Sequence, residues 1–225
     1  MNADKIAMPV RLGIYLAGII SVSLGIVLCK KCELGISPIS GIPFVMEYVV
    51  PISFGMLTTL FHFVNTALQI LIGRKITGKL LLQIPLALVF GYVINFIQSL
   101  LTFEAVTIVP QLLSLAGSVF FTALGMVLMV NMQLVQNPPD GTVRVISMKT
   151  GRELGRIKVF YDVSCVVISV GISLLFCHKV LGFGIATIVS ALTVGRMVSV
   201  MNPRFCGLLS GGEAKDASVS VKSKY

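Results

Sequence analysis

The chain has 225 residues, of which 56% are hydrophobic and 12% charged, and its mean hydropathy is +0.95. Too few polar residues remain to cover the surface of a soluble globular protein, so the composition excludes that class. It predicts a membrane protein with the lipid bilayer as its partner. A net charge of +9 could suit nucleic acid, but the basic residues gather in short loops beside apolar stretches. That arrangement is typical of the positive-inside rule, so we expect no nucleic-acid partner.

Six apolar stretches are long enough to cross a bilayer as helices, which takes about 20 residues. They are residues 11–29, 55–73, 80–101, 111–130, 157–177 and 183–201. The first is longer than the core of a signal peptide and no small-residue cleavage pattern follows it, so we expect it to remain as a span. We also expect a cytoplasmic N-terminus over residues 1–10 and a disordered cytoplasmic tail over residues 203–225, which is poor in apolar residues.

Two shorter segments, residues 37–50 and 138–150, are interrupted by proline and by charged side chains. Ser37 and Asn137 each precede a proline, which predicts that they cap the first amides of a short helix. Such a helix could be re-entrant, with its positive dipole end facing a cavity. Alternatively, a tight turn could lead into an amphipathic helix on the membrane surface.

The second half of the chain repeats the first at a fixed offset. Nine positions recur 100 residues later, and three more recur after a four-residue slip. The first set is Leu24, Gly25, Val27, Leu28, Leu34, Pro38, Gly41, Val45 and Gly55, which recur as Leu124, Gly125, Val127, Leu128, Leu134, Pro138, Gly141, Val145 and Gly155. The second set is Lys75, Gly78 and Gly91, which recur as Lys179, Gly182 and Gly195.

Loop charges give the repeat an orientation. With the N-terminus in the cytoplasm, 14 Lys and Arg residues lie on the inner side and 3 on the outer side, with Arg196 left inside the membrane. Each copy has three long spans, so the second copy must enter from the opposite side. We therefore predict an all-α polytopic membrane helix bundle of two inverted-topology repeats, residues 11–101 and 111–202, with six long transmembrane helices and two short re-entrant or interfacial helices.

Ionisable residues within the spans are the candidate site. Asp162 is costly if it faces lipid, and a pair with Arg196 is the simplest arrangement, although such a pair could also serve only to orient two helices. His62 is the repeat mate of Asp162, and His62, Asn65 and Gln69 form one polar stripe that could line a cavity or join helices by hydrogen bonds. The full candidate set for a cavity or transport site is Asp162, Arg196, His62, Asp140, Asn137, Ser37 and Asn65. Its charged half belongs to the second repeat, towards the cytoplasm.

No enzyme motif survives inspection, so we expect no enzymatic activity and no cofactor. Cys29 and Cys32 form a CxxC, but no second Cys or His pair is spaced to complete a metal site. Five cysteines, an odd number, argue against a complete disulfide framework, and we expect them to be packing residues.

The segments 34–38, 181–187 and 194–195, together with the Gly141 loop, resemble the YczE/YyaS/YitT family of multi-span bacterial membrane proteins. The resemblance covers roughly residues 11–203 and implies an integral bundle in the bacterial inner membrane, but no substrate. Members often carry an Asp soon after the first Pro, where this chain has Ile39 and Ser40. The first half of the site is therefore expected to be less polar here.

These features favour a small secondary transporter or permease for an unknown small solute or ion, with a central cavity between the repeats. The alternative is a regulatory or scaffolding membrane protein that acts through residues 144–158. Six spans with short loops are compatible with a homodimer, but no residue pattern decides this.

Overall fold

A computed structural model describes residues 7–103 and 105–209. The long helices are α1 (Met8–Lys31), α3 (Phe54–Gly73), α5 (Gln83–Leu100), α6 (Ile108–Met132), α8 (Leu154–Cys177) and α9 (Ile185–Leu209), and the short ones are α2 (Gly41–Val49), α4 (Gly78–Leu81) and α7 (Pro138–Thr150). A 3₁₀ turn, Pro38–Ser40, precedes α2, and α4 continues into α5 as one span. Six helices in these ranges are long and apolar enough to cross a membrane, which confirms an integral membrane protein.

The end of the last helix differs from the prediction. The tail was expected to begin at Pro203, but α9 continues to Leu209 with Pro203 inside it. Asn202 accepts a hydrogen bond from Asn131 of α6 at 2.6 Å, and the Cys206 thiol donates to the same Asn131 at 3.1 Å. These contacts anchor both sides of Pro203 to α6, so the missing amide does not end the helix. The rest of the predicted tail, residues 210–225, lies outside the described residues, as do residues 1–6.

The centre of the bundle is an antiparallel crossing of α1 and α6. A Cβ on Gly125 would lie 2.5 Å from the carbonyl oxygen of Gly18, and one on Gly25 would lie 2.8 Å from the carbonyl oxygen of Ser118. Between these points, the Ser21 hydroxyl donates a 2.8 Å hydrogen bond to the carbonyl oxygen of Phe121. The two backbones touch because the crossing positions carry glycine or another small residue, as is common between membrane helices.

A second close crossing joins α3 to α5. A Cβ on either Gly55 or Gly91 would collide with the backbone of the other, and Asn95 accepts a 2.9 Å hydrogen bond from the Gly55 amide. The repeat-matched glycines of α8 and α9 are not packed in this way. Gly155 and Gly195 are both exposed, and a Cβ on Gly195 would meet nothing within 4 Å.

Each of the two short helices begins beside a long helix of the other half of the chain. Gly141 of α7 lies against Gln69 of α3, and Gly41 of α2 lies against Ser169 of α8. Gln69 is four residues from the end of α3, and Ser169 is eight residues from the end of α8, which correspond to about 6 and 12 Å of helix. We call the face where α1 begins the N-terminal face and the face where it ends the opposite face. The start of α7 lies inside the N-terminal face, and the start of α2 lies inside the opposite face.

The glycine contact at the central crossing gives a first prediction. Gly25→Ala should lower the free energy of unfolding by about 1–3 kcal/mol, because its methyl group meets the Thr122 amide nitrogen at 2.7 Å and cannot be accommodated without moving a helix. Gly13→Ala in the same helix is the control, since nothing lies within 4 Å of its new Cβ. Thermal unfolding in detergent measures both, and equal stability of the two variants would contradict close backbone packing at Gly25.

Candidate functional site

The polar stripe of α3 joins three helices by hydrogen bonds. Asn65, which is 1% exposed, accepts hydrogen bonds through its side-chain oxygen from the Thr142 hydroxyl of α7 at 2.9 Å and the Tyr161 hydroxyl of α8 at 2.6 Å. One turn along, the Gln69 amide donates to the Pro138 carbonyl oxygen at 3.0 Å. Of the two roles predicted for this stripe, the structure supports interhelical bonding for Asn65 and Gln69.

The same stripe also bonds to α5. Gln69 and Gln83 exchange side-chain amide hydrogen bonds of 3.0 and 3.2 Å, and the Thr66 hydroxyl donates to Gln83 at 3.0 Å. All three side chains are buried. Because buried amides are costly when unpaired, this reciprocal pairing fixes the position of the start of α7 against α3 and α5.

Three ionised side chains meet beside this network. The Lys158 ammonium lies 3.3 Å from a carboxylate oxygen of Asp140 in the first turn of α7 and 3.3 Å from one of Asp162, one turn along α8. We call Asp140, Lys158 and Asp162 the charged cluster. Two carboxylates and one ammonium leave it a formal charge of −1. Asp162 lies eight residues, or about 12 Å of helix, from the start of α8, so the charge is held within the bundle.

His62 lies next to this region and is 4% exposed. Its ring packs against Phe90 of α5 with centroids 5.1 Å apart, and its carbonyl oxygen accepts a 3.0 Å hydrogen bond from Thr66 of the same network. Among the described residues, no group pairs with its Nδ1. The two repeat-matched ionisable positions, His62 and Asp162, therefore belong to one polar region.

Three predictions about individual residues are wrong. Asp162 pairs with Lys158 instead of Arg196, whose side chain is exposed. Ser37 makes no side-chain cap, because its hydroxyl donates to the Ser40 hydroxyl at 3.1 Å. Asn137 also makes no side-chain cap, although its carbonyl oxygen accepts the Gly141 amide at 2.9 Å. The sequence did carry a signal for Lys158, because its spacing of four from Asp162 brings the two together on a helix.

A second polar cluster, absent from the predictions, lies at the opposite face. The Lys30 ammonium at the end of α1 contacts Glu47 of α2 at 2.5 Å and Gln98 of α5 at 3.2 Å, and it lies 4.7 Å from the centre of the Phe54 ring of α3. We call Lys30, Glu47, Gln98 and Phe54 the opposite-face clamp, because they hold four helices together. A cavity of about 620 Å³ lies next to it, bordered by Tyr48 and by the segment before α9.

Cys29 and Cys32 lie at the end of α1 and directly after it. All five cysteines are free, and the Cys32 thiol donates to the Cys29 carbonyl oxygen at 3.0 Å. The hydrogen bond to Cys29 and burial raise the pKa of the Cys32 thiol, which disfavours the reactive thiolate. Within residues 7–103 and 105–209, no three His, Cys, Asp or Glu side chains gather closely enough to hold a metal ion.

Six apolar spans around a buried polar interior define the chain as a multi-pass integral membrane protein. The sequence matches a family described as a family of unknown function (DUF6198) over residues 9–203, and the chain belongs to that family. No curated protein and no solved structure matches it. The resemblance to the YczE/YyaS/YitT family stays a prediction, since the match is to DUF6198.

The charged cluster gives a second prediction. Lys158→Met should lower the free energy of unfolding by about 1–3 kcal/mol, because it leaves two carboxylates facing each other in a partly buried site. Adding Asp162→Asn should restore at least half of the loss by removing that repulsion. Thermal unfolding in detergent at neutral pH measures both variants.

Lys149→Met is the matched control, because Lys149 is exposed at the end of α7. It should change the free energy of unfolding by no more than about 0.5 kcal/mol. An equal loss for Lys149→Met and Lys158→Met, or no rescue by Asp162→Asn, would contradict the charge arrangement.

Proposed function

We propose that this protein is a small secondary transporter built from two inverted repeats, with its N-terminal face in the cytoplasm and no enzymatic step. The observation that carries the proposal is that contacts between the two halves occur in equivalent pairs. When 100 is added to the residue number on one side of such a contact and subtracted from the number on the other side, the result is a second contact. Gly18 against Gly125 becomes Ser118 against Gly25, and both contacts are present. The bond from Ser21 to Phe121 joins a position to its own repeat mate.

The short helices follow the same rule. Gly41 against Ser169 becomes Gly141 against Gln69, and both contacts are present. Contacts that exchange in this way are those of a two-fold rotation. Since α1 and α6 run antiparallel, its axis is perpendicular to them and lies in the membrane plane, as in transporters with inverted repeats.

The positions of α2 and α7 favour the re-entrant form over the surface form. Each short helix begins beside a long helix, at a point some 6 to 12 Å from the end of that long helix. Each also finishes with an exposed residue, Tyr48 in α2 and Met148 in α7. Their N-termini therefore enter the bundle from opposite faces. The free amides and positive dipole ends at such sites favour the anionic groups of a solute.

The charged cluster supplies the polar surface that a solute or ion would meet. The side chains of Asp140, Lys158 and Asp162 are 26%, 31% and 16% exposed, so none of them is fully enclosed by the described part of the protein. Charges at this depth are tolerated where they face water or a solute, and they are costly where they face lipid.

The orientation rests on the loop charges. Among the described residues, ten Lys and Arg residues lie toward the N-terminal face and three toward the opposite face when the six spans are followed in order. The positive-inside rule therefore assigns this face to the cytoplasm, in a bacterial inner membrane if the resemblance to the YczE/YyaS/YitT family holds.

The test is uptake by proteoliposomes that contain the purified protein. A panel of labelled amino acids, organic acids, sugars and inorganic ions should include at least one solute with saturable uptake, and Asp162→Asn should lower its rate at least tenfold. Lys158 keeps Asp140 as a partner in that variant, so the fold is retained.

Glu153→Gln, at an exposed residue just before α8, should transport like the wild type. Failure of every solute to exceed protein-free liposomes would contradict the proposal. So would equal rates for Asp162→Asn and the wild type.

A further inference from the structure

The two halves of the chain share most of their contacts but differ at one pair of helices. In the first half, Gly55 of α3 and Gly91 of α5 are buried in backbone contact. In the second half, the matching Gly155 of α8 and Gly195 of α9 are both exposed. Within the described chain, the backbone of α8 packs mainly on α2, α7 and the 3₁₀ turn, and that of α9 on α6. The helix crossing that is packed in the first half is therefore separated in the second half.

The packed crossing at Gly55 and the separated crossing at Gly155 lie at different faces of the bundle. Gly55 is the second residue of α3, which begins at the opposite face, and Gly155 is the second residue of α8, which begins at the N-terminal face. The opposite-face clamp joins four helices on the side of Gly55. The partly exposed charged cluster lies on the side of Gly155, where α8 and α9 are apart.

We propose that this structure is one of two conformations of the chain, and that the second arises when the two repeats exchange their arrangements. This inference rests on the proposed inverted-repeat transporter and deepens it. In the second conformation, Gly155 packs against Gly195, Gly55 separates from Gly91, and the ion pair between Lys30 and Glu47 breaks.

The glycine pattern is what such an exchange requires. A side chain at Gly195 would occupy open space in the present structure. A glycine is needed there if a helix backbone approaches it in the second conformation, as one approaches Gly91 in the present structure. A polypeptide that kept only the present structure would gain helix stability from alanine at this position.

Cross-linking tests the exchange directly. In a variant without the native cysteines, Gly155→Cys with Gly195→Cys should form a disulfide in membranes upon mild oxidation. Disulfide formation requires Cβ atoms about 3.5–4.5 Å apart, and in this structure nothing lies within 4 Å of a Cβ at position 195. The control pair is Gly155→Cys with Met197→Cys, which puts the second thiol roughly on the other side of α9.

The opposite-face clamp should set how often the second conformation forms. Glu47→Gln should raise the rate of disulfide formation between positions 155 and 195 at least threefold, because it removes the ion pair that holds α2 against the end of α1 in the present arrangement. Glu33→Gln, at an exposed residue nearby, should leave the rate unchanged. A rate for the 155 and 195 pair no higher than that of the control pair would overturn the exchange, and so would an unchanged rate in Glu47→Gln.

A third variant separates this inference from the proposed function. Gly195→Ala should unfold at the wild-type temperature or above it, yet slow solute uptake at least fivefold, because its methyl group obstructs the second conformation. Wild-type uptake by Gly195→Ala would overturn the exchange while leaving the transporter proposal intact. Cross-linking between positions 155 and 195 without uptake of any solute would support the exchange and count against transport.

Discussion

The antiparallel crossing of α1 and α6 is the contact on which the rest of the bundle depends. Gly18 and Gly25 of α1 meet Gly125 and Ser118 of α6 with their backbones in contact, and no other helix pair approaches over so much of its length in the described chain. Lipid tails are as apolar as the helices, so association rests on close packing, which small residues allow. The crossing joins the first helix of one half to the first helix of the other, so it fixes how the two halves face each other. The starts of α2 and α7 each lie against a long helix of the other half, at Ser169 and Gln69.

The interior formed around this crossing is divided between neutral and charged polar groups. The neutral groups, such as Asn65, Gln69 and Gln83, are paired and hold α3, α5, α7 and α8 in register. The charged groups lie at two levels, with Lys158 between two acids near the N-terminal face and Lys30 beside Glu47 near the opposite face. Both sets of charged groups also join helices, α7 to α8 through Lys158 and α1 to α2 through Lys30. These two levels of charge lie on either side of a helix crossing that is packed in the first half and separated in the second. This arrangement favours a protein that changes conformation around the charged groups.

The sequence predicted the helices better than it predicted the contacts between their side chains. Six spans and the short helix at residues 138–150 could be read from hydropathy and from proline, because both act locally along the chain. The partner of Asp162 was wrong because depth in the membrane alone does not distinguish Arg196 on another helix from Lys158 one turn away. The continuation of α9 beyond Pro203 depends on Asn131, which is 71 residues from Asn202 in sequence, and no local pattern reports such a bond. Likewise, the repeat matches Gly155 and Gly195 to Gly55 and Gly91, but only the folded structure reveals that the second pair is in contact while the first is apart.

The central claim is that the two halves enter the membrane in opposite directions. Ile76 and Val180 are exposed in the structure and occupy matching places in the two repeats, 104 residues apart. The most direct measurement is the reaction of single-cysteine variants Ile76→Cys and Val180→Cys, each without the native cysteines, with a membrane-impermeant maleimide in intact cells and in inverted vesicles. We predict that position 180 reacts only in intact cells and position 76 only in inverted vesicles. Reaction of both positions from the same side would contradict the inverted arrangement and the transporter that is proposed from it.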